Sequence, residues 1–244
     1  MADCFIHFDA VHKSIKCKPI IDEVHLQVNR GEVIALCGGN GAGKSTLLRM
    51  LAGILRPTSG TITVDGLRWK QDRRKYASLI GYMPDDYRFS AGLTAMETML
   101  FWAKLRGLGK ERTIEILSLV GLSDTGSKPV ASFSKGMRQR MLFGQALLAE
   151  PPLIIMDEPT NGLDPYWMES FVTHVRQAAA CGQTVFFSTH QLPIAEAVAD
   201  RMIFLRDGQM VLDIMKSDIH QRFGVSGLQE AFNELFGIPM IVPR

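Results

Sequence analysis

Three short stretches and one histidine carry the residue types that can act on a triphosphate. The first is Gly38-Gly39-Asn40-Gly41-Ala42-Gly43-Lys44-Ser45-Thr46. It fills the spacing Gly-x-x-x-x-Gly-Lys-Ser between an apolar run, residues 33–37, and a segment with Leu47, Leu48, Leu51 and Ile54 on one side. Glycines let the backbone curl until successive N–H groups point inward, and a helix starting at the same place adds the positive end of its dipole. A triphosphate fits such a cradle, with Lys44 reaching the β- and γ-phosphates and the Ser45 hydroxyl ligating Mg²⁺.

The second stretch is Asp157-Glu158, which follows the apolar run Leu153-Ile154-Ile155-Met156. An acidic pair at a strand end commonly caps the next helix. Beside a phosphate loop it has a division of labour available: Asp157 as the carboxylate that helps hold Mg²⁺, Glu158 as the general base toward the attacking water. His190 ends the run Ser188-Thr189-His190 at the carboxyl end of another apolar strand. Ligands bind at that edge of an open α/β sheet, so position rather than identity makes it a candidate to reach the γ-phosphate. The third stretch, Ser134-Lys135-Gly136-Met137-Arg138-Gln139-Arg140, opens an apolar helix with Ser134 as its N-cap, and a helix N-terminus attracts anions.

These residues need strands to carry them, and the pattern supplies strands. Residues 33–37, 79–83, 153–157, 184–189 and 201–205 read as buried strands interleaved with helices, the alternation of a mainly parallel sheet. Residues 4–12, 22–28 and 61–64 alternate apolar and polar, as a small antiparallel sheet leaning on that core does. Residues 70–75 read as a basic helix, and 194–199 as a short one. Between them Thr94 and Glu97 have capping-box spacing before a helix over 95–105 that presents Met96, Met99, Leu100 and Trp102, and a second helix covers 110–120. These two interrupt the alternation, so a helical insertion is expected outside the main sheet. A helix over 166–180 and a hairpin at Asp207-Gly208 follow. The segment 227–236 sets Leu228, Phe232, Leu235 and Phe236 on one face, suited to docking on the core or, less favoured, on a partner.

Composition excludes several classes. At 244 residues, with 21% charged and 46% hydrophobic side chains, the chain is globular, and a net charge of +2 gives no nucleic-acid footprint. Cys4, Cys17, Cys37 and Cys181 show neither a CxxC pair nor metal-ligand spacing and read as free thiols of a reducing compartment. The N-terminus lacks a signal-peptide run and no window reaches bilayer-spanning length, which predicts a cytoplasmic protein.

Taken in order, these motifs resemble the nucleotide-binding cassette of ABC (ATP-binding cassette) transporters over nearly the whole chain. Walker A matches residues 38–45, the signature 134–137, Walker B with its glutamate 153–158, the D-loop Gly162-Leu163-Asp164, and the switch histidine His190. The resemblance implies an α/β fold: a P-loop NTPase core with a mainly parallel sheet, an N-terminal antiparallel β-subdomain and a helical insertion subdomain. It divides a single ATPase domain, 1–244, into a core with its β-subdomain (1–84 and 150–215), a helical subdomain (85–149) and a C-terminal helical tail (216–244). It also implies ATP and Mg²⁺ as ligands and a homodimer that sandwiches two ATP molecules head to tail. Ser134, Lys135, Gly136, Met137 and Asp164 would then serve the ATP held by Lys44 of a second copy, and a monomer would be nearly inactive. Integral membrane transporter subunits are the implied partners, and the cytoplasmic face of the inner membrane the implied location.

The departures from the family pattern are informative. Lys135 replaces the first glycine of Leu-Ser-Gly-Gly-Gln and Met137 its glutamine, a form similar to cassettes of the ABC-2 export type, while Gly136 is kept. The Q-loop glutamine falls at Asp85, an acid that looks like ABC-2-type subunits, including the ATPase of the nitrous oxide reductase maturation transporter. Asp85 is shorter than glutamine, which suits a water-bridged approach to Mg²⁺. The aromatic that stacks on adenine aligns near Ile15, which offers area without a π-face. A coupling helix of a membrane subunit would lie along residues 85–94, with Tyr87, Phe89 and Trp102 either touching it or packing within the insertion. The alternative is a soluble cassette acting on nucleic acid or the ribosome. A single cassette with 88 residues between Ser45 and Ser134 and a near-neutral charge disfavour it.

Overall fold

The computed structural model describes residues 4–223 together with Leu228, Phe232 and Asn233. Two sheets organise it. β1 (Cys4–Ile15) and β2 (Lys18–Asn29) form an antiparallel hairpin, and β4 (Ser59–Val64) pairs with the other side of β1, giving the order β2-β1-β4. Both hairpin strands run several residues beyond their expected ends. They meet at Lys16-Cys17, whose φ angles of 49° and 64° make a turn that Asn-Gly normally signals. Lys-Cys carries no such signal, so the strands expected over 4–12 and 22–28 stop short of the turn.

The second sheet has the order β5 (Ile80–Met83), β6 (Leu153–Met156), β7 (Thr184–Thr189), β3 (Val33–Cys37), β8 (Arg201–Arg206), β9 (Gln209–Met215). All neighbours are parallel except the β8–β9 hairpin. Because side chains alternate along a strand, β3 sends Val33, Ala35 and Cys37 to one face and Ile34 and Leu36 to the other. The second face packs on α1 (Lys44–Leu51) and on the three-stranded sheet through Phe5, Phe8, Ile21 and Leu47. The first packs on the remaining helices through residues such as Met99, Ile116, Leu142 and Phe171.

α1 stops at Leu51, and Gly53 turns the chain with φ of 73°. Ile54, grouped above with Leu47, Leu48 and Leu51, therefore leaves the helical face and is 61% exposed. The basic stretch becomes helical later than expected, as α2 (Arg73–Ser78), because Asp72 caps it by accepting from the Lys75 N–H. α3 (Ala95–Leu105) starts on the full Thr94–Glu97 capping box. Met99 is buried with Ala95, Thr98 and Ala103, while Met96 and Trp102 are only partly covered. α4 (Lys110–Leu119) and α5 (Lys135–Leu147) complete a helical layer, and residues 85–149 add no strand to either sheet. α6 (Pro165–Ala180), α7 (Leu192–Val198) and α8 (Lys216–Phe223) follow. Leu228 is buried and Phe232 packs on Phe204, as expected of a docked segment, whereas Leu235 and Phe236 lie outside the described residues. No helix among the described residues is long and apolar enough to cross a membrane.

α5 couples the helical layer to β5 by close backbone approach. A Cβ on Gly81 would stand 2.0 Å from the Ala146 carbonyl oxygen. Gly81→Ala is therefore expected to lower stability by about 2 kcal/mol through forced separation of β5 and α5. Gly92→Ala, where nothing lies within 4 Å, should change it by less than about 0.5 kcal/mol. Chemical denaturation of the two variants measures the contrast.

Candidate active site

The phosphate loop closes on its own lysine. Gly43, with φ of 104°, caps α1 without a side-chain bond, which leaves the first N–H groups of the helix directed at the loop. Gly38 has φ of 153°, and a Cβ there would stand 2.3 Å from the Leu205 carbonyl oxygen, so the turn from β3 admits only glycine. Lys44 is 6% exposed. Its Nζ donates to the carbonyls of Gly38 (2.8 Å) and Gly39 (3.3 Å) and lies 3.3 Å from Glu158 Oε1. Gly39, Asn40, Gly41 and Ala42 form the turn itself, closed by the Ala42 N–H on the Gly39 carbonyl, and Thr46 lies in the first turn of α1.

Asp157 is completely buried. Its Oδ1 accepts from the Ser45 hydroxyl at 3.0 Å and from the Ser188 hydroxyl at 2.7 Å, and Ser188 in turn accepts the Glu158 N–H at 2.9 Å. Its Oδ2 is buried with no hydrogen-bond partner. A buried carboxylate oxygen left unpaired is costly, and it marks where a cation belongs. Hydroxyl and carboxylate oxygens are the hard donors that Mg²⁺ takes, and Mg²⁺ in phosphate sites characteristically uses one or two protein ligands and completes its shell with phosphates and water. Ser45 and Asp157 fit that donor set, and no cluster of three acidic, histidine or cysteine side chains competes with it among the described residues.

Glu158 adopts a left-handed backbone, φ 49°, unusual for a residue with a Cβ and a strain of about 1 kcal/mol or more. The conformation turns its side chain back to the phosphate loop. Oε1 meets Lys44 and Oε2 meets His190 Nδ1 at 2.8 Å, so the three residues form one chain of contacts, with His190 half exposed. The Glu158 carbonyl accepts from Gln139 Nε2 of α5 at 3.1 Å. Cys37 ends β3 just behind the loop. Burial pushes its thiol up to about 12 against a smaller opposing pull from Lys44, so it stays a neutral core residue.

Ser188 and Gln139 went unread in the sequence. Ser188 had a weak signal, a small polar residue at the end of an otherwise apolar strand, and Gln139 had none beyond its place in the Ser134 helix.

The remaining expected residues form a second, separate group. Ser134 caps α5 by accepting the Met137 N–H at 3.2 Å. A Cβ on Gly136 would stand 2.7 Å from the Gly162 carbonyl oxygen, and the methylene stem of Lys135 lies over Gly162. Asp164 caps α6 by accepting the Trp167 N–H at 3.0 Å. Residues 134–137 and 162–164 are thus one surface, with Ser134, Lys135 and Asp164 exposed, and no described hydrogen bond or ion pair joins it to Lys44 or Ser45 of the same chain. Asp85 is exposed and its Oδ1 accepts from Asn161 at 3.2 Å, so its partner is the loop after Glu158 and not Asp157. Ile15 stands at the hairpin tip, partly exposed.

Comparison with known proteins agrees with this geometry. The family model described as ABC transporter matches residues 21–161. The linearmycin resistance ATP-binding protein LnrL of Bacillus subtilis is 35% identical over 234 residues, covering 91% of this chain and 75% of that one. The lantibiotic transport ATP-binding protein SrtF of Streptococcus pyogenes is 34% identical, covering 91% and 93%. A solved structure of an ATP-binding subunit of an ABC transporter superposes with a TM-score of 0.87 at 31% identity, over 95% of this chain and 99% of that one. The dimeric structure of MJ0796, a bacterial ABC transporter cassette, gives 0.81 at 25% identity, over 86% and 98%. A phosphate loop facing a buried aspartate and a glutamate–histidine pair, on a fold and sequence shared with these proteins, identifies the chain as a member of the ABC transporter family, an ATP-binding and ATP-hydrolysing subunit.

Proposed function

We propose that this cassette works as a homodimer beneath separate integral membrane subunits, at the cytoplasmic face of the inner membrane where ATP is supplied, and that it energises ABC-2-type export. The observation that carries the hydrolytic part is Glu158 held between Lys44 and His190, in front of Asp157. Residues 38–46 hold the triphosphate, and its oxygens replace Gly38, Gly39 and Glu158 as partners of Lys44. Glu158, released on that side, takes a proton from water as the water oxygen bonds to the γ-phosphorus and the bond to the ADP oxygen breaks, giving ADP and phosphate. His190 keeps the other carboxylate oxygen in place and presents its exposed edge to the γ-phosphate. Ser45 and Asp157 would hold Mg²⁺, which would supply positive charge to offset the negative charge that develops on the phosphate. Asp85, whose Oδ1 accepts from Asn161, would reach that cation through water.

The dimer is supported by the second surface: Ser134, Lys135 and Asp164 are exposed on it, with Gly136 and Met137 partly covered between them, and no described hydrogen bond or ion pair ties the group to its own Lys44, as suits residues that serve a partner's nucleotide. The dimeric MJ0796 cassette shares the fold. Division into a core with its β-subdomain (1–84 and 150–215), a helical subdomain (85–149) and a tail from 216 follows from the same reading. Membrane partners are supported by the aromatic cluster of Tyr87, Phe89 and Trp102, with ring centroids 4.9–6.0 Å apart and Tyr87 partly exposed, which offers a coupling helix an apolar seat. Export is supported by the resistance and lantibiotic transport roles in the names of LnrL and SrtF and by Lys135 and Met137 in the signature. The finer likeness, to the ATPase of nitrous oxide reductase maturation, rests on Pro84-Asp85-Asp86 alone. The net charge of +2 lends nothing to a nucleic-acid role.

Glu158→Gln should keep ATP binding, slow hydrolysis by at least roughly a hundredfold and accumulate an ATP-bound dimer in sedimentation. Turnover at the wild-type rate sinks the assignment. Ser188→Ala removes one of the two donors that orient Asp157, so the Mg²⁺ concentration for half-maximal ATPase should rise by roughly tenfold at constant ATP. An unchanged Mg²⁺ dependence would mean that Ser188 only packs the strand. Purification from membranes tests the partner: a bound integral membrane protein supports the transporter reading, and bound RNA or DNA overturns it.

A further inference from the structure

A second cleft, of about 220 Å³, lies at the opposite end of α1 from Lys44. Eight residues of helix separate the two ends, about 12 Å at the helical rise, so a molecule in the cleft does not touch the phosphate loop. Three cations line the cleft, Arg56, Arg68 and Lys70, and no acidic side chain does. All three are exposed, and none makes an ion pair among the described residues. The Arg56 backbone carbonyl accepts from Lys13 at 2.7 Å, and its side chain has no described partner.

The opposite wall is aromatic and already set. Trp69 is half-buried, and a Cβ on Gly53 would come within 2.7 Å of its ring. Tyr76 meets the ring edge-on at 5.8 Å between centroids, the Arg73 guanidinium lies over it at 5.9 Å, and the Tyr76 hydroxyl donates to the Leu51 carbonyl at 2.7 Å. Residues 59–62 of β4 also line it, and β4 is the outer strand of its sheet, with an edge that pairs with no other strand among the described residues and presents backbone N–H and C=O groups.

Guanidinium forks and edge N–H groups match the oxygens of a phosphate or carboxylate, and a fixed indole matches a ring. The volume falls below the roughly 300–1,000 Å³ of pockets for drug-sized ligands, so it suits one ring bearing one anionic group and excludes a nucleoside triphosphate. We propose that this cleft binds a small organic anion, a phosphate monoester or carboxylate carried on a ring, independently of the nucleotide.

Calorimetric titration of the full chain, saturated with ADP and Mg²⁺ so that the phosphate loop is occupied, tests this with phenyl phosphate and inorganic phosphate as separate titrants. Phenyl phosphate should bind at least about tenfold more tightly than inorganic phosphate, because the ring adds its contact with Trp69. Arg56→Ala/Arg68→Ala should weaken phenyl phosphate at least about thirtyfold, the loss expected for one to two hydrogen bonds to a charged group. Its melting temperature and ATPase activity should match wild type, because both side chains lie on the surface and away from Lys44. The proposal is overturned by no binding of phenyl phosphate at about 10 mM, by equal affinity for the two titrants, or by an affinity that the double variant leaves unchanged.

Discussion

The parallel register of β6, β7 and β3 is the constraint on which the site depends. Met156 lies opposite Phe187, and Cys37 opposite Thr189, so three strands end at one edge and hand their next residues to one another. Gly38 through Ser45 leave β3, Asp157 and Glu158 leave β6, and His190 leaves β7. Hydrogen bonds across that edge then tie them: Ser188 of β7 to both Asp157 and the Glu158 N–H, and Ser45 of α1 to Asp157. Shifting one strand by a single residue would turn these side chains into the apolar faces, where Ile155 and Phe186 now sit. Such a shift would strand two carboxylates among hydrocarbon, so burial and chemistry enforce the same pairing.

Around that edge the protein gathers several local conflicts in one place. Glu158 takes a backbone conformation suited to glycine, Asp157 keeps an oxygen without a partner, and Lys44 is charged yet almost wholly covered. Each is offset by a neighbour fixed in the core: Gln139 holds the Glu158 carbonyl, two hydroxyls hold Asp157, and two loop carbonyls hold Lys44. Unfavourable local states of this kind persist only where the surroundings over-determine them.

Much of this was legible in the chain because glycine, lysine and acid carry their chemistry in their identity and spacing. The five parallel strands and the Thr94 capping box were visible because buried parallel strands are continuously apolar and caps have fixed offsets. What stayed hidden depends on contacts distant in sequence. Ser188 is 31 residues from Asp157, and serine is common at strand ends; Gln139 acts through a backbone carbonyl, which no side-chain pattern reports. The turn at Lys16-Cys17 was missed because its positive φ values come from hairpin geometry rather than from turn residues. Ile54 was misplaced because periodicity does not show that a helix has ended, although Gly53 did.

The folded-back position of Lys44 makes nucleotide binding an exchange of oxygens. Three oxygens of the chain already serve the ammonium, two carbonyls and one carboxylate, and a ligand must outbid them together. A chain of phosphates that also reaches the helix N-terminus brings enough oxygens to complete the trade, while a single phosphate replaces few of them. The number of phosphates a ligand carries therefore sets how many of the loop's own contacts to Lys44 it can replace.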